Sequence, residues 1–376
     1  MSESIVVIGG GAVGLALAWR LAREGANVTA IDAGPSVPSA TQVAAGMLAP
    51  SFEFGRGWIA GPLYEMCLAS LRRWPDFASR LETETGLSVD FRRDGALGLA
   101  FDAAEAEELA ESANAILAAG GNVRLFNREA LKRKEPLASA RAVSALWAPE
   151  DAQVDPRRMI VALRRAIKRN GGELIDGKAV AVLAKNGAVD SVQLQSGEKV
   201  KAAAAVVAAG VFANEIRTEA PAAPVHAVKG EALIVQTNDA GPRVVVRTPR
   251  VYLCPKAEGR LYIGATQRPH VTSLDPSPDA IAALRAAAAE AVPMVMTCPE
   301  LERFAGLRPS TPDGGPIIGR DPRGPEGLYF ALGHHRNGVL LAPETAERLA
   351  SIILQRGGER ALWPFRPDRF PALGES

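Results

Sequence analysis

Residues 4–34 contain the feature that most constrains the fold, a strand, a glycine-rich turn and a helix in direct succession. The apolar run IVVI at residues 5–8 predicts a buried parallel strand, and GGGAVG at residues 9–14 fits the pattern G-x-G-x-x-G. A helical stretch follows, and a second apolar strand at residues 27–31 ends on Asp32. In a strand–helix–strand unit of about thirty residues, this pattern predicts a dinucleotide-binding site.

Each glycine of the motif has its own physical role. The first, Gly9, permits the tight turn from strand to helix, and Gly11 lets the backbone approach a pyrophosphate. Gly14 lets the helix pack closely against the strand. The helix begins near Ala12 and Val13, where unpaired N–H groups and the positive end of the helix dipole favour a phosphate.

Asp32 follows Gly14 by 18 residues. At this position a carboxylate can accept hydrogen bonds from the hydroxyl groups of an adenosine ribose. An arginine close behind it would favour a 2′-phosphate instead, and no arginine closely follows Asp32. The motif alone does not choose between NAD and FAD.

The composition narrows the class of protein. With 376 residues the chain suits two domains, and 43 basic against 42 acidic residues give a net charge of +1, which predicts no nucleic-acid partner. The three cysteines are widely spaced, so we predict neither a disulfide framework nor a metal site. The longest apolar run, residues 202–213, is too short to span a bilayer, and we expect a cytoplasmic protein without a transmembrane segment.

Segments of two types alternate along the chain. We predict helices at residues 62–85, 103–119, 156–168 and 279–291, and hairpins that turn at Asp94-Gly95 and at Asn186-Gly187. The fold class is α/β with an α+β second domain. The predicted dinucleotide-binding domain gathers residues 1–85, 150–224 and 303–376, and a β-rich substrate-binding domain gathers residues 86–149 and 225–302.

Two arginines near the C-terminus stand in loops that contain glycine. Arg308 lies in GLRPSTPDGG, and Arg336 lies in GHHRNG, directly before an apolar helix. A guanidinium can bind a carboxylate through two parallel hydrogen bonds, so both are candidate substrate ligands. Taken alone, either arginine is more often one half of a structural ion pair.

Five motifs in this order make the chain similar to a known family. They are GGGAVG with Asp32, AAGMLAP at 44–50, GRLYIGATQ at 259–267, GLRPSTPDGGPIIG at 306–319 and GHHRNGVLLAP at 333–343. With them the chain resembles the D-amino acid oxidase superfamily of FAD-dependent amine oxidases, and within it the glycine oxidase branch. The resemblance covers the whole chain and implies a Rossmann-type FAD-binding domain interleaved with the substrate-binding domain.

The resemblance implies that the protein binds FAD in an extended conformation. It also implies that the FAD is non-covalent, because Gly306 stands about where some relatives carry the cysteine that tethers it. The start of the last long helix would face the pyrimidine edge of the flavin and stabilise negative charge there. The cofactor-binding residues that it implies are Gly9, Gly11, Ala12, Val13, Gly14, Asp32, Thr41, Ala45, Gly46, Met47, Val180, Gly210, Gly306, His335, Arg336, Asn337, Gly338, Val339 and Leu340.

For the substrate, the resemblance assigns four residues. Arg308 would bind the carboxylate of an amino acid, and the Tyr252 hydroxyl would assist it. The backbone carbonyl of Arg336 would accept a hydrogen bond from the amine, and Met47 would wall the pocket. Without the resemblance, Tyr252 would be interpreted as a half-buried tyrosine on a strand, and His335 is expected to pack rather than to act as a base.

The implied reaction is the oxidative deamination of glycine, or of a similarly small amine, to an α-keto acid (glyoxylate from glycine) and ammonia. Hydride would pass to the flavin, no side chain would act as acid or base, and oxygen would be reduced to hydrogen peroxide. The resemblance also suggests a role in thiamine biosynthesis and a homotetramer. Two alternatives stay open: a D-amino acid or hydroxyproline dehydrogenase that uses another acceptor, and a non-catalytic FAD-binding subunit.

Overall fold

The structure, a computed structural model, describes residues 4–34, 39–53, 61–238 and 240–371. Twenty strands and eight α-helices lie in these residues. The strands are β1 (Ser4–Ile8), β2 (Asn27–Asp32), β3 (Met47–Leu48), β4 (Ala96–Ala100), β5 (Arg124–Asn127), β6 (Ser144–Ala148), β7 (Ala152–Gln153), β8 (Glu173–Asp176), β9 (Ala179–Lys185), β10 (Ala188–Leu194), β11 (Lys199–Lys201), β12 (Ala204–Val207), β13 (His226–Gln236), β14 (Val245–Arg247), β15 (Tyr252–Pro255), β16 (Arg260–Gly264), β17 (Arg268–Pro269), β18 (Glu300–Ser310), β19 (Ile317–Arg320) and β20 (Leu328–Leu332). The helices are α1 (Ala12–Arg23), α2 (Pro62–Thr85), α3 (Ala103–Ala118), α4 (Arg128–Lys134), α5 (Pro156–Arg169), α6 (Pro278–Ala291), α7 (Gly338–Ile353) and α8 (Glu359–Leu362).

A six-stranded sheet in the order β19-β20-β12-β1-β2-β8 contains the predicted strand–helix–strand unit. Strand β1 pairs in parallel with both β2 and β12. Its residues 5–8 are buried, as expected for a strand that is covered on both faces. Helices α1, α2, α5 and α7 contribute to one core beside this sheet, and the three-stranded sheet β9-β10-β11 contributes to a second core.

Helix α2 fixes the N-terminal end of α7. The Ser70 hydroxyl and the Trp74 indole N–H both donate hydrogen bonds to the carbonyl of Leu340, at 2.6 Å and 2.9 Å. All three residues are buried, so these polar groups satisfy one another within the core. The first turn of α7 is thereby held in one place relative to α2.

The large sheet has nine strands, in the order β17-β13-β16-β15-β14-β4-β6-β5, with β18 paired to β13 beside this path. Strands from both segments of the predicted substrate-binding domain join in it, because β4 pairs with β6 and with β14. Residues of α6 pack into its apolar core. The division of the chain into two domains stays a prediction.

Two predictions about local structure need correction. The boundary drawn at residue 303 falls inside β18, which pairs with β13 from Glu300 to Ser310, so this whole strand belongs to the large sheet. The hairpin at Asp94-Gly95 is wrong: β4 pairs with β6 and β14 instead. Gly95 has a positive φ, but it donates to the carbonyl of Asp151 and packs against the Trp147 ring.

The other local predictions are confirmed. The four predicted helices correspond to α2, α3, α5 and α6. Strands β9 and β10 form the hairpin at Asn186-Gly187, and both turn residues have a positive φ, as a tight two-residue turn requires. Among the helices described here, none is long and apolar enough to cross a membrane.

The packing at Gly14 generates a first prediction. A Cβ atom on Gly14 would lie 2.2 Å from the carbonyl oxygen of Gly9, whereas one on Gly11 would meet only the Thr41 hydroxyl at 3.3 Å. Gly14→Ala should therefore lower the free energy of unfolding by about 1–3 kcal/mol, as overpacking does. Gly11→Ala is the matched control, with urea unfolding measured on protein that is free of bound nucleotide. Equal losses in the two variants would contradict the packing described here.

Candidate active site

A cavity of about 280 Å³ opens at the carboxyl ends of β1, β2 and β12. This is the edge of a parallel sheet where nucleotides bind in folds of this type. Its walls are the turn after β1, the residues around Asp32, the 3-10 turn at 210–215 and the segment 334–339 before and at the start of α7. Both α1 and α7 begin at this cavity.

The glycine turn owes its shape to two close contacts. Gly9 has φ +134°, and a Cβ atom there would lie 2.3 Å from the carbonyl oxygen of Ala208. A Cβ atom on Gly10 would lie 2.0 Å from the Asp32 carboxylate. The Ala12 N–H donates to the Thr41 hydroxyl at 3.0 Å, so a distant segment caps the N-terminus of α1. The motif pattern does not require glycine at position 10, but the structure does, because the Asp32 carboxylate occupies the space that a side chain would need.

Asp32 is held from two sides. Its carboxylate accepts a hydrogen bond from the Gly34 N–H at 3.2 Å and pairs with the Arg164 guanidinium at 2.9 Å. Arg164 also pairs with Asp176 at 2.6 Å. The sequence shows no arginine shortly after Asp32, and the fold brings one from α5. Because two acids share this arginine, the position disfavours a phosphate and suits a ribose.

The residues that line this cavity suit an extended dinucleotide. An acid for a ribose lies at one end, the glycine turn at the N-terminus of α1 offers a pyrophosphate cradle, and the start of α7 lies at the other end. The first N–H groups of a helix have no partner within it and favour negative charge. Predicted cofactor residues on these walls are Gly9, Gly11, Ala12, Val13, Asp32, Thr41, Gly210, His335, Arg336, Gly338 and Val339.

Three predicted cofactor residues line neither this cavity nor a smaller one beside it. Gly14 packs against the Gly9 carbonyl, and the Leu340 carbonyl is engaged by α2. Val180 is on β9, where its carbonyl accepts from the Arg217 N–H at 3.0 Å. The preceding residues Lys178 and Ala179 line the cavity instead. Gly14 therefore has a packing role, the carbonyl of Leu340 accepts hydrogen bonds from α2, and Val180 does not line the cavity.

A second, smaller cavity of about 90 Å³ lies beside the first. The two cavities share lining residues, among them His335, Arg336 and Val339. The predicted substrate ligands Arg308, Tyr252, Arg336 and Met47 all line the smaller cavity, together with Ala45, Gly46, Gly306 and Asn337. The fold thus brings to one place residues from the beginning, the middle and the end of the chain.

One face of the large sheet, formed by β14, β15, β16, β13 and β18, is the floor of this cavity. Tyr252 lies opposite Arg247 on one side and Gly264 on the other. Gly264 in turn lies opposite Ala232, which lies opposite Phe304. Directly paired residues point to the same face of a sheet. Arg308 is four residues beyond Phe304 on β18, so it shares this face.

Glycines in this floor make room for the two predicted carboxylate ligands. A Cβ atom on Gly264 would lie 2.8 Å from the Tyr252 hydroxyl oxygen, so the tyrosine lies flat over the glycine. A Cβ atom on Gly230 would meet the Arg308 guanidinium at 2.3 to 2.5 Å. Side chains at these two glycines would occupy the space in which the arginine and the tyrosine lie.

A buried acid supports Arg308 indirectly. The Arg308 guanidinium donates to the Thr266 carbonyl at 3.1 Å, and the Thr266 hydroxyl donates to the Glu231 carboxylate at 2.9 Å. Among the residues described, no carboxylate forms an ion pair with Arg308. Its charge is therefore available to a ligand. Burial raises the pKa of the Tyr252 hydroxyl, and the neighbouring Arg308 acts in the opposite direction.

The other two arginines of the cavity share one acid. Arg336 forms a two-point ion pair with Glu53, at 2.8 Å and 2.9 Å. Arg247 approaches the same carboxylate at 3.4 Å. The sequence analysis identified neither Glu53 nor Arg247, because they lie 194 positions apart and belong to no motif. The side chain of Arg336 thus forms a structural ion pair with Glu53. This does not conflict with the predicted substrate contact of Arg336, which involves its backbone carbonyl.

The loop that contains Val43 and leads into β3 rests on the same floor. The Tyr262 hydroxyl donates to the Val43 carbonyl at 2.6 Å, and the Tyr262 ring stacks on Tyr252 at 6.1 Å between ring centres. A Cβ atom on Gly306 would lie 2.1 Å from Val43. A side chain at Gly306 would therefore push this loop away, which gives a packing reason for glycine at this position.

Both histidines before α7 are neutral at physiological pH. Burial lowers the pKa of His334 to about 4, and its ring bonds the Thr345 hydroxyl at 3.1 Å. Burial, followed by the charges of Arg308 and Arg336, lowers the pKa of His335 to about 4. A packing role for His335 agrees with this environment.

A family model described as DAO, FAD dependent oxidoreductase, matches residues 4–352 of the chain. The chain belongs to this family. It is 30% identical to the glycine oxidase of Bacillus subtilis over 98% of each chain. It is 31% identical to the bifunctional protein ThiO/ThiG of a Synechocystis species, where the match spans 98% of this chain and 54% of that protein, so the chain covers about half the length of that relative.

The fold agrees with the family. The crystal structure of glycine oxidase from Geobacillus kaustophilus superposes with a TM-score of 0.91 at 27% identity, and the match covers 98% of this chain and all of that one. The predicted family, the α/β fold class and the FAD cofactor are confirmed. At this level, the prediction of an FAD-dependent amino acid oxidase is confirmed as well. The individual site residues stay predictions.

A buried acid near the cavity provides a prediction about pH. Burial raises the pKa of Asp151 to about 7, although the Ser51 hydroxyl donates to it at 3.0 Å. Because the folded pKa exceeds the unfolded one, the folded protein binds more protons, and stability falls as the pH rises toward and through 7. Asp151→Asn should gain at least about 1 kcal/mol relative to wild type between pH 5.5 and 8.5. The measurement is urea unfolding at both pH values, and an equal difference at both would contradict the prediction.

Proposed function

We propose that the protein oxidises glycine or a similarly small α-amino acid to the α-keto acid, ammonia and hydrogen peroxide, with oxygen as the electron acceptor. The observation that carries the proposal is Arg308, which lies flat on Gly230 beside Tyr252 in a cavity that adjoins the cofactor cavity. The names of the two glycine oxidases support glycine as the substrate.

The carboxylate site follows from the donors of Arg308. One N–H group is bound to the Thr266 carbonyl, and the guanidinium carries five such donors in a planar fork. The remaining donors suit a carboxylate that binds through both oxygens. The Tyr252 hydroxyl, over Gly264, can donate to the same carboxylate. The half-buried setting strengthens both bonds relative to water.

Size supports a small substrate. The cavity holds about 90 Å³, and Met47, Tyr252 and Tyr262 stand in its wall. The ion pair with Glu53 draws the Arg336 side chain aside, so the backbone carbonyl of this residue can accept a hydrogen bond from the amine. The substrate would then be held at both its carboxylate and its amine, which fixes the orientation of its α-carbon.

FAD, when bound, would supply the electron-pair acceptor for this oxidation. The protein contributes orientation and electrostatics, and the neutral His335 is placed for packing rather than for proton transfer. The N–H groups at the start of α7 favour negative charge on a group that lies against residues 338–339. We further propose non-covalent FAD, a role in thiamine biosynthesis and a homo-oligomer, each of which rests on the family resemblance.

Replacement of the predicted carboxylate ligand tests the substrate site. Arg308→Met should raise KM for glycine at least about 30-fold, because removal of one partner of a hydrogen-bonded charge pair costs about 2–5 kcal/mol. FAD should stay bound, as judged by the visible absorbance of the purified protein. Arg303→Met, an exposed position on the same strand that pairs with Glu300, is the control. A KM within threefold of wild type in Arg308→Met would refute the assignment.

Anaerobic reduction tests the reaction and the electron acceptor. We expect glycine, added to the yellow protein without oxygen, to bleach the visible absorbance of the flavin completely. Air should then restore the colour and yield hydrogen peroxide. Bleaching without recovery in air would show a dehydrogenase with another acceptor. If neither glycine nor D-alanine, D-proline, sarcosine or hydroxyproline bleaches the flavin, a non-catalytic subunit becomes the better interpretation.

A further inference from the structure

A buried carboxylate lies behind the floor of the substrate cavity. Gly230 lines the cavity under the Arg308 guanidinium, and successive residues of a strand point to opposite faces of a sheet. Glu231 therefore lies on the other face of the large sheet, where Leu233 packs in one core with residues of α6. The exposed fraction of Glu231 is 0%, so its charge needs partners within the protein.

The hydrogen bonds of Glu231 come from both ends of one segment, residues 266–277. One carboxylate oxygen accepts from the Ser277 N–H at 2.7 Å, and the other accepts from the Thr266 hydroxyl at 2.9 Å. Ser277 is the residue directly before α6, so the carboxylate also lies at the positive end of that helix. One acid thus holds the beginning of the segment, its end and the start of a helix.

Basic side chains compensate the charge of Glu231. Lys229 and Arg268 each approach its carboxylate at 3.4 Å, and Lys229 also donates to the carbonyl of Asp275 at 2.6 Å, within the same segment. Burial opposes the charge of Glu231, but its two hydrogen bonds and these two basic neighbours hold its pKa below the usual range. The carboxylate is therefore ionised at neutral pH, and hydrogen bonds to an ionised acceptor are stronger than those between neutral groups.

Thr266 connects this acid to the substrate cavity. Its hydroxyl donates to the Glu231 carboxylate and accepts from the Glu231 N–H, both at 2.9 Å, and its own N–H donates to the Glu231 carbonyl at 3.2 Å. The backbone carbonyl of Thr266 accepts from the Arg308 guanidinium at 3.1 Å. Three hydrogen bonds to one residue therefore hold in place the carbonyl that orients Arg308.

We propose that Glu231 is a positioning residue for the substrate carboxylate, which holds the Arg308 guanidinium in its binding orientation through Thr266. The inference rests on the proposed function, because Arg308 is taken to bind that carboxylate. An arginine that is oriented before the substrate arrives loses less conformational freedom on binding. Loss of the connection should weaken the binding of carboxylates while FAD stays bound.

Removal of the Thr266 hydroxyl tests the connection. Thr266→Val keeps the branched shape of the side chain and the carbonyl that meets Arg308, but it loses both hydrogen bonds of the hydroxyl. In the FAD-bound enzyme, KM for glycine and the Kd of acetate, measured by its effect on the flavin absorbance, should each rise at least about fivefold, which corresponds to about 1 kcal/mol. The rate of anaerobic flavin reduction at saturating glycine should change less than about threefold, because a bound carboxylate itself holds Arg308.

Two substitutions are the matched controls. Thr266→Ser keeps the hydroxyl, so KM for glycine and the Kd of acetate should stay within about twofold of wild type. Thr272→Val makes the same chemical change at an exposed position of the same segment, and both constants should keep their wild-type values. If Thr266→Ser raises the two constants as much as Thr266→Val does, the hydroxyl is not the connection and the inference is overturned.

Glu231→Gln tests the acid itself. A neutral amide of the same size binds Thr266 less strongly than a carboxylate does, so KM for glycine should rise at least about threefold. Because both substitutions break one connection, the double variant of Glu231→Gln and Thr266→Val should exceed the larger single effect by less than about twofold. Two effects that multiply would show that Glu231 acts by another route and would overturn the inference. If Glu231→Gln does not fold, the comparison of Thr266→Val with Thr266→Ser decides.

The outcomes separate this inference from the proposed function. If the wild-type enzyme oxidises glycine and both constants of Thr266→Val lie within about twofold of wild type, the role of Glu231 is overturned and the proposed function stands. Release of FAD from Thr266→Val would show a general structural role and would overturn the inference as well. A wild-type flavin that neither glycine nor acetate affects would reject the proposed function, and this inference with it.

Discussion

Close contact between side chains and glycines of the large sheet is the constraint on which the candidate active site depends. The Arg308 guanidinium lies on Gly230, Tyr252 lies on Gly264, and Val43 lies on Gly306. In each case a Cβ atom would overlap the side chain that occupies the gap, so the arginine, the tyrosine and the loop that contains Val43 all lie close to the surface of the sheet. The register of β13, β15, β16 and β18 brings these gaps together, and a slip of one residue would turn the arginine and the tyrosine to the opposite face.

The segment 334–339 connects this floor to the cofactor cavity. It lines both cavities, and it leads into α7, whose first turn is held by hydrogen bonds from α2 to the Leu340 carbonyl. The His335 N–H donates to the Pro309 carbonyl on the chain just after Arg308, at 2.7 Å. One short segment thus joins the six-stranded sheet, the large sheet and the start of α7.

Local features were predictable from the sequence, and contacts between distant residues were not. The glycine turn and the hairpin at Asn186-Gly187 follow from backbone geometry within a few residues. Gly95 gave the same local signal as a turn, but its conformation serves a bond to Asp151 and packing on Trp147. The ion pairs of Asp32 with Arg164 and of Glu53 with Arg336 join residues 132 and 283 positions apart, and no spacing in the sequence indicates them.

The distribution of acids explains why one arginine of the cavity is the better carboxylate ligand. Sequence motifs presented Arg308 and Arg336 as equivalent candidates, because each lies in a glycine-containing loop near the end of the chain. In the structure Glu53 forms a two-point ion pair with Arg336. Arg308 has no such direct contact with Glu231, because Thr266 lies between them: its carbonyl accepts from Arg308 and its hydroxyl donates to Glu231. A guanidinium that already holds a carboxylate gains little from a second one, and a guanidinium fixed by a neutral carbonyl keeps both its charge and its free donors. In the proposed function, Glu53, which no motif contains, would therefore direct an incoming carboxylate to Arg308.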